Sequence, residues 1–339
     1  MPSPLFPRLI AQLFLGCLLL ARVATGACAE PPVKLTILSY HEIAERSDAL
    51  VPNYAVTPAN FAAQMQWLRD SHHHFVSVDD VLADAAGRKP LPPDAVLVTF
   101  DDGYQSMYVH AFPVLKELHI PAVVALVGSW LDAKGGTVDF DGKAIPRADL
   151  LTWDEIRAMQ HSGLVEIGSH TYDLHRGVPG NPQGNRQPAA TTREWLPDQN
   201  RYEDEASYQR RVAADLRRND ALLQSRLGHG PRVIVWPYGR YNAETTRIAR
   251  SLGMTVGLSL DDGPNTAATP LAGLRRVLVE GVMAVPDLER SIQLRNTFVF
   301  DDGRPVKAMH LDLDYIYDPD PAQQEKNLGM WLDRIIAMG

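Results

Sequence analysis

The run Val96-Leu97-Val98-Thr99-Phe100 ends in two adjacent acids, Asp101 and Asp102, followed by Gly103. Further along, Val165-Glu166-Ile167-Gly168-Ser169 ends in His170, with His175 five residues on. Two carboxylates and two imidazoles at the ends of apolar runs are the donors a hydrolytic metal site requires. Two His and one carboxylate leave open positions on a divalent ion, Zn, Ni, Co or Fe(II), and the second acid is then free to act as a base. An ion held this way acidifies water and polarises a carbonyl oxygen. The free acid takes the water's proton, and a nearby imidazole can protonate a leaving amine. A backbone N–H at the tight turn Pro237-Tyr238-Gly239 can help hold an oxyanion. Together these parts describe metal-assisted amide hydrolysis.

Positioning them requires an α/β architecture. From Val33 onward short β-rich runs alternate with helical stretches, the pattern of an α/β barrel or a doubly wound sheet. Lys34 to Ser39, Val96 to Phe100, Ala122 to Val127, Val165 to Gly168, Val233 to Trp236 and Thr255 to Leu258 read as strands. Helices are expected after Thr57-Pro58, from the capping box Thr152 to Glu155 up to about Gly163, over Tyr208 to Leu227, and from Asn242 to Gly253. His41, Asp101, Asp102, His170 and Pro237-Tyr238 each follow a strand, and in a parallel barrel such positions share one rim.

Each feature has a plainer reading. Asp-Asp-Gly after a strand is often only a turn, and we read Asp261-Asp262-Gly263 and Asp301-Asp302-Gly303 that way. His72-His73-His74 follows an amphipathic stretch and reads as a solvated helix end. Trp236 and Tyr238 are either core or rim aromatics, the latter suited to stacking on sugars. Arg176 to Gln199, rich in Pro, Gly, Asn and Gln, reads as a long surface loop. It is either a lid or substrate wall beside His175, or a tolerated insertion. For the site residues the plain readings would all have to hold at once.

The chain has 339 residues, 45% of them hydrophobic, enough for one large core or two modest ones. Residues 1–29 have the form of a signal peptide: Arg8, an apolar run from Leu9 to Ala21, and small residues around Ala27-Cys28-Ala29. Two readings stand, cleavage after Ala29 or lipid anchoring at Cys28. Both cysteines, Cys17 and Cys28, lie in this segment, so no disulfide and no Cys nucleophile is expected in the mature protein. Losing Arg8 and Arg22 with no acid moves the net charge from −8 to −10, which argues against nucleic acid or an anionic polymer as ligand. Beyond Gly303, a strand from Val306 to Asp314 and a helix from Asp320-Pro321 are expected, too little to bury a core alone. The boundaries are therefore 1–29, 30–300 and 301–339.

Thr99-Phe100-Asp101-Asp102-Gly103-Tyr104, His170-Thr171 with His175, and Trp236-Pro237-Tyr238-Gly239 resemble the three successive motifs of polysaccharide deacetylases of carbohydrate esterase family 4. With Ser39-Tyr40-His41 ahead of the acid pair, the order is similar to that of periplasmic poly-β-1,6-N-acetyl-D-glucosamine N-deacetylases of biofilm exopolysaccharide systems. The likeness runs from about Leu35 to Arg290, and the segment around His310 to Asp314 is similar to the start of the C-terminal glycoside hydrolase domain of longer members. It implies a deformed (β/α) barrel of the NodB-homology type, a polysaccharide substrate and contact with export machinery. It further implies Asp101 as base, Asp102, His170 and His175 as metal ligands, His41 as general acid, the Tyr238 backbone at the oxyanion, and Trp236, Pro237 and Tyr238 against the substrate. Deacetylation of chitin or peptidoglycan, and a non-catalytic polysaccharide-binding or export module, are the alternatives. Two departures stand out: the His pair is spaced by five rather than four, and Val235-Trp236 stands where an Arg opens the third motif. Without that Arg the base is expected not to be tuned as in typical members, and turnover to be slow.

Overall fold

The structure, a computed structural model, describes residues 35–297 and 320–337. The expected leader with Cys17 and Cys28, the expected turn at Asp301-Asp302-Gly303 and the expected strand from Val306 lie outside the described residues. The chain divides into two compact units at Thr297. In the second unit Pro321–Ala337 is helical.

Eight parallel strands carry the first unit: β1 (Thr36–Tyr40), β2 (Ala95–Phe100), β3 (Ala122–Leu126), β4 (Val165–Ser169), β5 (Val233–Val235), β6 (Val256–Ser259), β7 (Leu274–Arg275) and β8 (Val277–Leu278). Their spatial order is β7-β6-β5-β4-β3-β2-β1-β8, and His74–Phe75 adds a further pair to β2. The two ends of this path are one stretch of chain. Leu274 pairs with Leu258 and Val277 with Leu38, so Leu274–Leu278 bridges β6 and β1 across Arg276 and brings the sheet round on itself. This is the deformed barrel expected from the sequence, and its closing segment is one that periodicity did not reveal.

Side chains alternate across each strand. Leu38, Val96, Val98, Val124, Leu126, Val165 and Ile167 pack outward among Phe61, Met65, Leu68, Leu115, Ile156 and Met159 of the surrounding helices. Ile37, Leu97, Val123, Ala125, Val233, Val235 and Leu258 form the complementary cluster. Burial on both faces is why these strands read as continuous apolar runs. Parity also assigns the polar groups. His41 continues the side of Ile37, Asp101 the side of Leu97, and His170 the side opposite Val165 and Ile167.

The helices begin where the caps require. Thr57 accepts the Asn60 N–H ahead of α1 (Pro58–Asp70), and reciprocal capping boxes open α2 (Trp153–His161) and α4 (Ala243–Ser251). The long helix α3 (Glu205–Leu227) starts three residues before the expected Tyr208, because the Asp204 carboxylate takes the Ser207 N–H. Arg176 to Gln199 is not a plain surface loop. It forms the antiparallel pair Gly177–Pro179 with Arg186–Pro188, it contributes Trp195–Leu196 to a second pair, and Val178, Ala189 and Ala190 are fully buried. Short pairs rich in Pro and Gly carry no period for a sequence pattern to show.

Candidate active site

At the C-terminal mouth of the barrel, His41, Asp101, Asp102, His170, His175 and Tyr238 line one cavity of about 190 Å³. Val51, Tyr54, Phe140, Leu260 and Leu278 give it an apolar wall. Adjacent strand residues point to opposite faces, so two neighbouring acids cannot both enter the mouth from a regular strand. The backbone resolves this at Asp102, whose φ of 74° leaves β geometry immediately after β2. Aspartate is among the few residues that accept the left-handed region readily. Thr171 after β4 and Tyr238 after β5 also sit there, at φ 69° and 58°. Gly239 follows at φ 69°, and glycine is required there twice over, since a Cβ would also meet the Leu260 backbone nitrogen at 2.6 Å.

The two acids have separate surroundings. Asp102 Oδ1 lies 3.3 Å from His170 Nε2 and 3.2 Å from His175 Nε2, with all three residues buried. His170 Nδ1 is 2.7 Å from the Val235 carbonyl, a contact that requires a proton on Nδ1 and turns Nε2 toward the carboxylate. Asp102 Oδ1 faces these two imidazoles and no further donor. A buried carboxylate and two imidazole nitrogens converging on one point are a donor set suited to a divalent cation. Ligand atoms about 2.0–2.1 Å from a tetrahedral ion stand roughly 3.3 Å apart, the spacing seen here. The residues therefore fit a divalent ion, and this is the one cluster with such geometry among the described residues. Burial works against ionising Asp102, but the two imidazoles outweigh it and hold its pKa well below the usual carboxylate range. Burial would likewise lower the His175 pKa, and the Asp102 carboxylate raises it instead.

Asp101 faces Arg276. The guanidinium reaches both carboxylate oxygens, Nη1 to Oδ1 at 2.7 Å and Nη2 to Oδ2 at 2.9 Å. It is oriented by Thr99 Oγ1 at 3.1 Å and the Ser259 carbonyl at 3.3 Å. Burial would raise the Asp101 pKa, yet the arginine brings it below the ordinary value. His41 Nε2 is 3.9 Å from Asp101 Oδ2, its ring lies against Tyr54, and burial lowers its pKa despite the carboxylate.

Three expectations change here. Asp101, the expected base, does have an arginine, supplied by Arg276 from the closing segment rather than by the third motif. The hint in the sequence was Leu-Arg-Arg-Val-Leu at 274–278, an apolar run whose inward arginine needs a buried carboxylate. Trp236 shares the outward parity of Ile234. It is 1% exposed and stacks near Tyr241 behind the barrel, which removes it from any surface a sugar can reach. Pro237 is buried as well and does not line the cavity, whereas Tyr238 does, its ring 4.9 Å from that of His175. His72 and His73 follow the end of α1, His74 begins the short strand beside β2, and none enters a metal cluster among the described residues. Phe140, on the hairpin Thr137–Phe140/Lys143–Pro146, packs 5.1 Å from His175 and had no signal in the sequence.

Residues 88–257 match the family model described as polysaccharide deacetylase. The chain belongs to the polysaccharide deacetylase family. Residues 310–339 match a second model, described as hypothetical glycosyl hydrolase family 13. The deacetylase domain of BpsB from Bordetella bronchiseptica is 40% identical and superposes with a TM-score of 0.65, covering 71% of this chain and 94% of that one. A de-N-acetylase from Aggregatibacter actinomycetemcomitans is 32% identical with a TM-score of 0.70, over 76% and 99% of the two chains. Among curated relatives, the poly-beta-1,6-N-acetyl-D-glucosamine N-deacetylase of Escherichia coli K12 is 34% identical over 80% of this chain. This chain spans about 40% of the length of that relative.

Proposed function

We propose that this chain is a metal-dependent hydrolase that removes acetyl groups from poly-β-1,6-N-acetyl-D-glucosamine, acting in the periplasm to support export of the polymer and biofilm formation. The observation that carries the chemistry is the division of labour between two adjacent buried acids, Asp102 against two imidazoles and Asp101 against Arg276. The substrate assignment is supported by the relatives' names, and the location by the leader pattern in residues 1–29.

Asp102, His170 and His175 would hold the ion. When bound, it supplies Lewis-acid polarisation of the acetyl carbonyl and acidification of water. Asp101 accepts the proton of the attacking water, and Arg276 keeps it ionised to do so. His41, across the cavity, donates to the departing amine; its lowered pKa makes the imidazolium the readier donor. The turn at Tyr238 places backbone beside the cavity, where an N–H can stabilise the oxyanion. The apolar wall from Val51, Tyr54, Phe140, Leu260 and Leu278 suits the acetyl methyl group. At about 190 Å³ the cavity is smaller than an ordinary ligand pocket and admits a side group or one sugar, not a chain.

The deciding experiment measures acetate release from β-1,6 and β-1,4 N-acetylglucosamine oligomers and from peptidoglycan, with Zn, Ni or Co supplied. Release from the β-1,6 oligomers above the others, lost in Asp101→Asn, is expected. Preference for a β-1,4 substrate would transfer the assignment to chitin or peptidoglycan, and no release from any would leave a binding module.

A further inference from the structure

We infer that Asp215, on α3 and outside the motifs at Asp101, His170 and Trp236, is a positioning residue for the metal centre, fixing the chain that runs between the two histidine ligands. The inference rests on the reading of Asp102, His170 and His175 as a metal site. That chain is one residue longer than the usual spacing and carries Thr171 in the left-handed region. Such a stretch holds two ligands at a fixed separation only if its backbone is tied down.

Each of its N–H groups has an identifiable acceptor. His170 donates to the Leu126 carbonyl at 2.9 Å, Thr171 to Ser169 Oγ at 3.2 Å, and Leu174 to Thr171 Oγ1 at 3.2 Å. The two central ones depend on a single side chain: Tyr172 donates to Asp215 Oδ1 at 2.8 Å and Asp173 to Oδ2 at 2.7 Å. Bonds to an ionised acceptor are about twice as strong as neutral ones, and a carboxylate spanning two successive N–H groups fixes the direction of the peptide between them. The same helix adds two more ties one turn on. Arg218 lies 3.7 Å over the Tyr172 ring, and the fully buried Asn219 donates to Ser169 Oγ at 2.7 Å. Positions 215, 218 and 219 fall on one helix face. From the other side, Gly128 and Ser129 donate to the carbonyls of Thr171 and Tyr172. Asp215 thus sits remote from the reacting atoms but sets where His175 returns to the cavity. Groups bonded directly to metal ligands typically change metal affinity by about 10–100-fold, and Asp215 acts through the backbone between the ligands, which places its effect at the low end of that range.

The test compares Asp215→Ala and Asp215→Asn with Leu223→Ala, a core change on the same helix away from the loop, and with His175→Ala. Zinc affinity is read by competition with a chromogenic chelator, site geometry by the visible absorption of the Co(II) form, and folding by circular dichroism. Asp215→Ala is expected to weaken zinc binding about 10-fold and alter the Co(II) spectrum. Asp215→Asn, keeping one acceptor, falls between, and Leu223→Ala melts earlier with wild-type affinity. Wild-type affinity and spectrum in both Asp215 variants would overturn the inference. If Asp215→Ala does not fold, Asp215→Asn decides alone. Undiminished zinc binding by His175→Ala would instead show that the metal site itself is misassigned.

Discussion

Replacing Arg276 by Met should move the acid limb of the pH–rate profile upward. In the wild type Asp101 is buried, which alone would favour its protonated form, and the bidentate guanidinium reverses that preference. An adjacent arginine lowers a carboxyl pKa by about 1–3 units, each worth about 1.4 kcal/mol, so removing it raises the Asp101 pKa by about that amount and leaves burial opposed only by His170 and His41. The base works only when ionised, so kcat/KM would then be lost at a pH about 1–3 units higher than in the wild type. Stability should follow the same linkage. Because the wild-type Asp101 pKa is depressed, its contribution is present above the unfolded-state pKa and disappears as pH falls through the folded value. In the variant the carboxyl is raised instead, so stability grows on acidification and the gap to wild type narrows. Breaking such a buried pair costs about 3–5 kcal/mol near neutrality. The assay is kcat/KM for acetate release from a β-1,6 oligomer across pH at saturating metal, beside denaturant melts at the same pH values. Arg276→Lys restores the charge without the fork and should recover part of the shift. An acid limb unmoved in Arg276→Met, in protein shown to be folded, would refute the assignment of Asp101 as a base held by Arg276.

Other outcomes separate the roles of the remaining residues. Asp101→Asn should keep wild-type zinc affinity and lose about 10²–10⁴-fold in kcat, whereas Asp102→Asn should lose the metal as well, which equilibrium dialysis resolves. The alkaline limb should report His41: with its pKa below the ordinary histidine value, activity falls as pH rises through that value, and the limb should vanish in His41→Ala while metal content is unchanged. Gly239→Ala should lower the melting temperature and kcat together, since the new Cβ has no space against Leu260 and must displace the Tyr238 turn.

The motifs were legible because their chemistry depends on residue type and strand parity, both of which are local. An apolar run that ends in acids or histidines fixes which side chains enter the barrel mouth, so His41, Asp101 and His170 could be placed on one rim from sequence. Capping residues fixed the helix starts for the same reason, as Thr57, Thr152 and Asn242 show. What tertiary structure alone decided involves pairs distant in sequence. Arg276 meets Asp101 175 positions away because the short segment Leu274–Leu278 closes the barrel, and a stretch that pairs with two different strands has no period of its own. Trp236, one residue past β5, was ambiguous until the helices on the outer face showed which side it joins. The Asp215 contacts depend on how α3 lies against the loop from His170 to His175. Sequence determined which residues could do chemistry, since that follows from their own functional groups. Packing decided which of them are held ionised, oriented or buried out of reach, since those properties belong to neighbours the chain brings together only on folding.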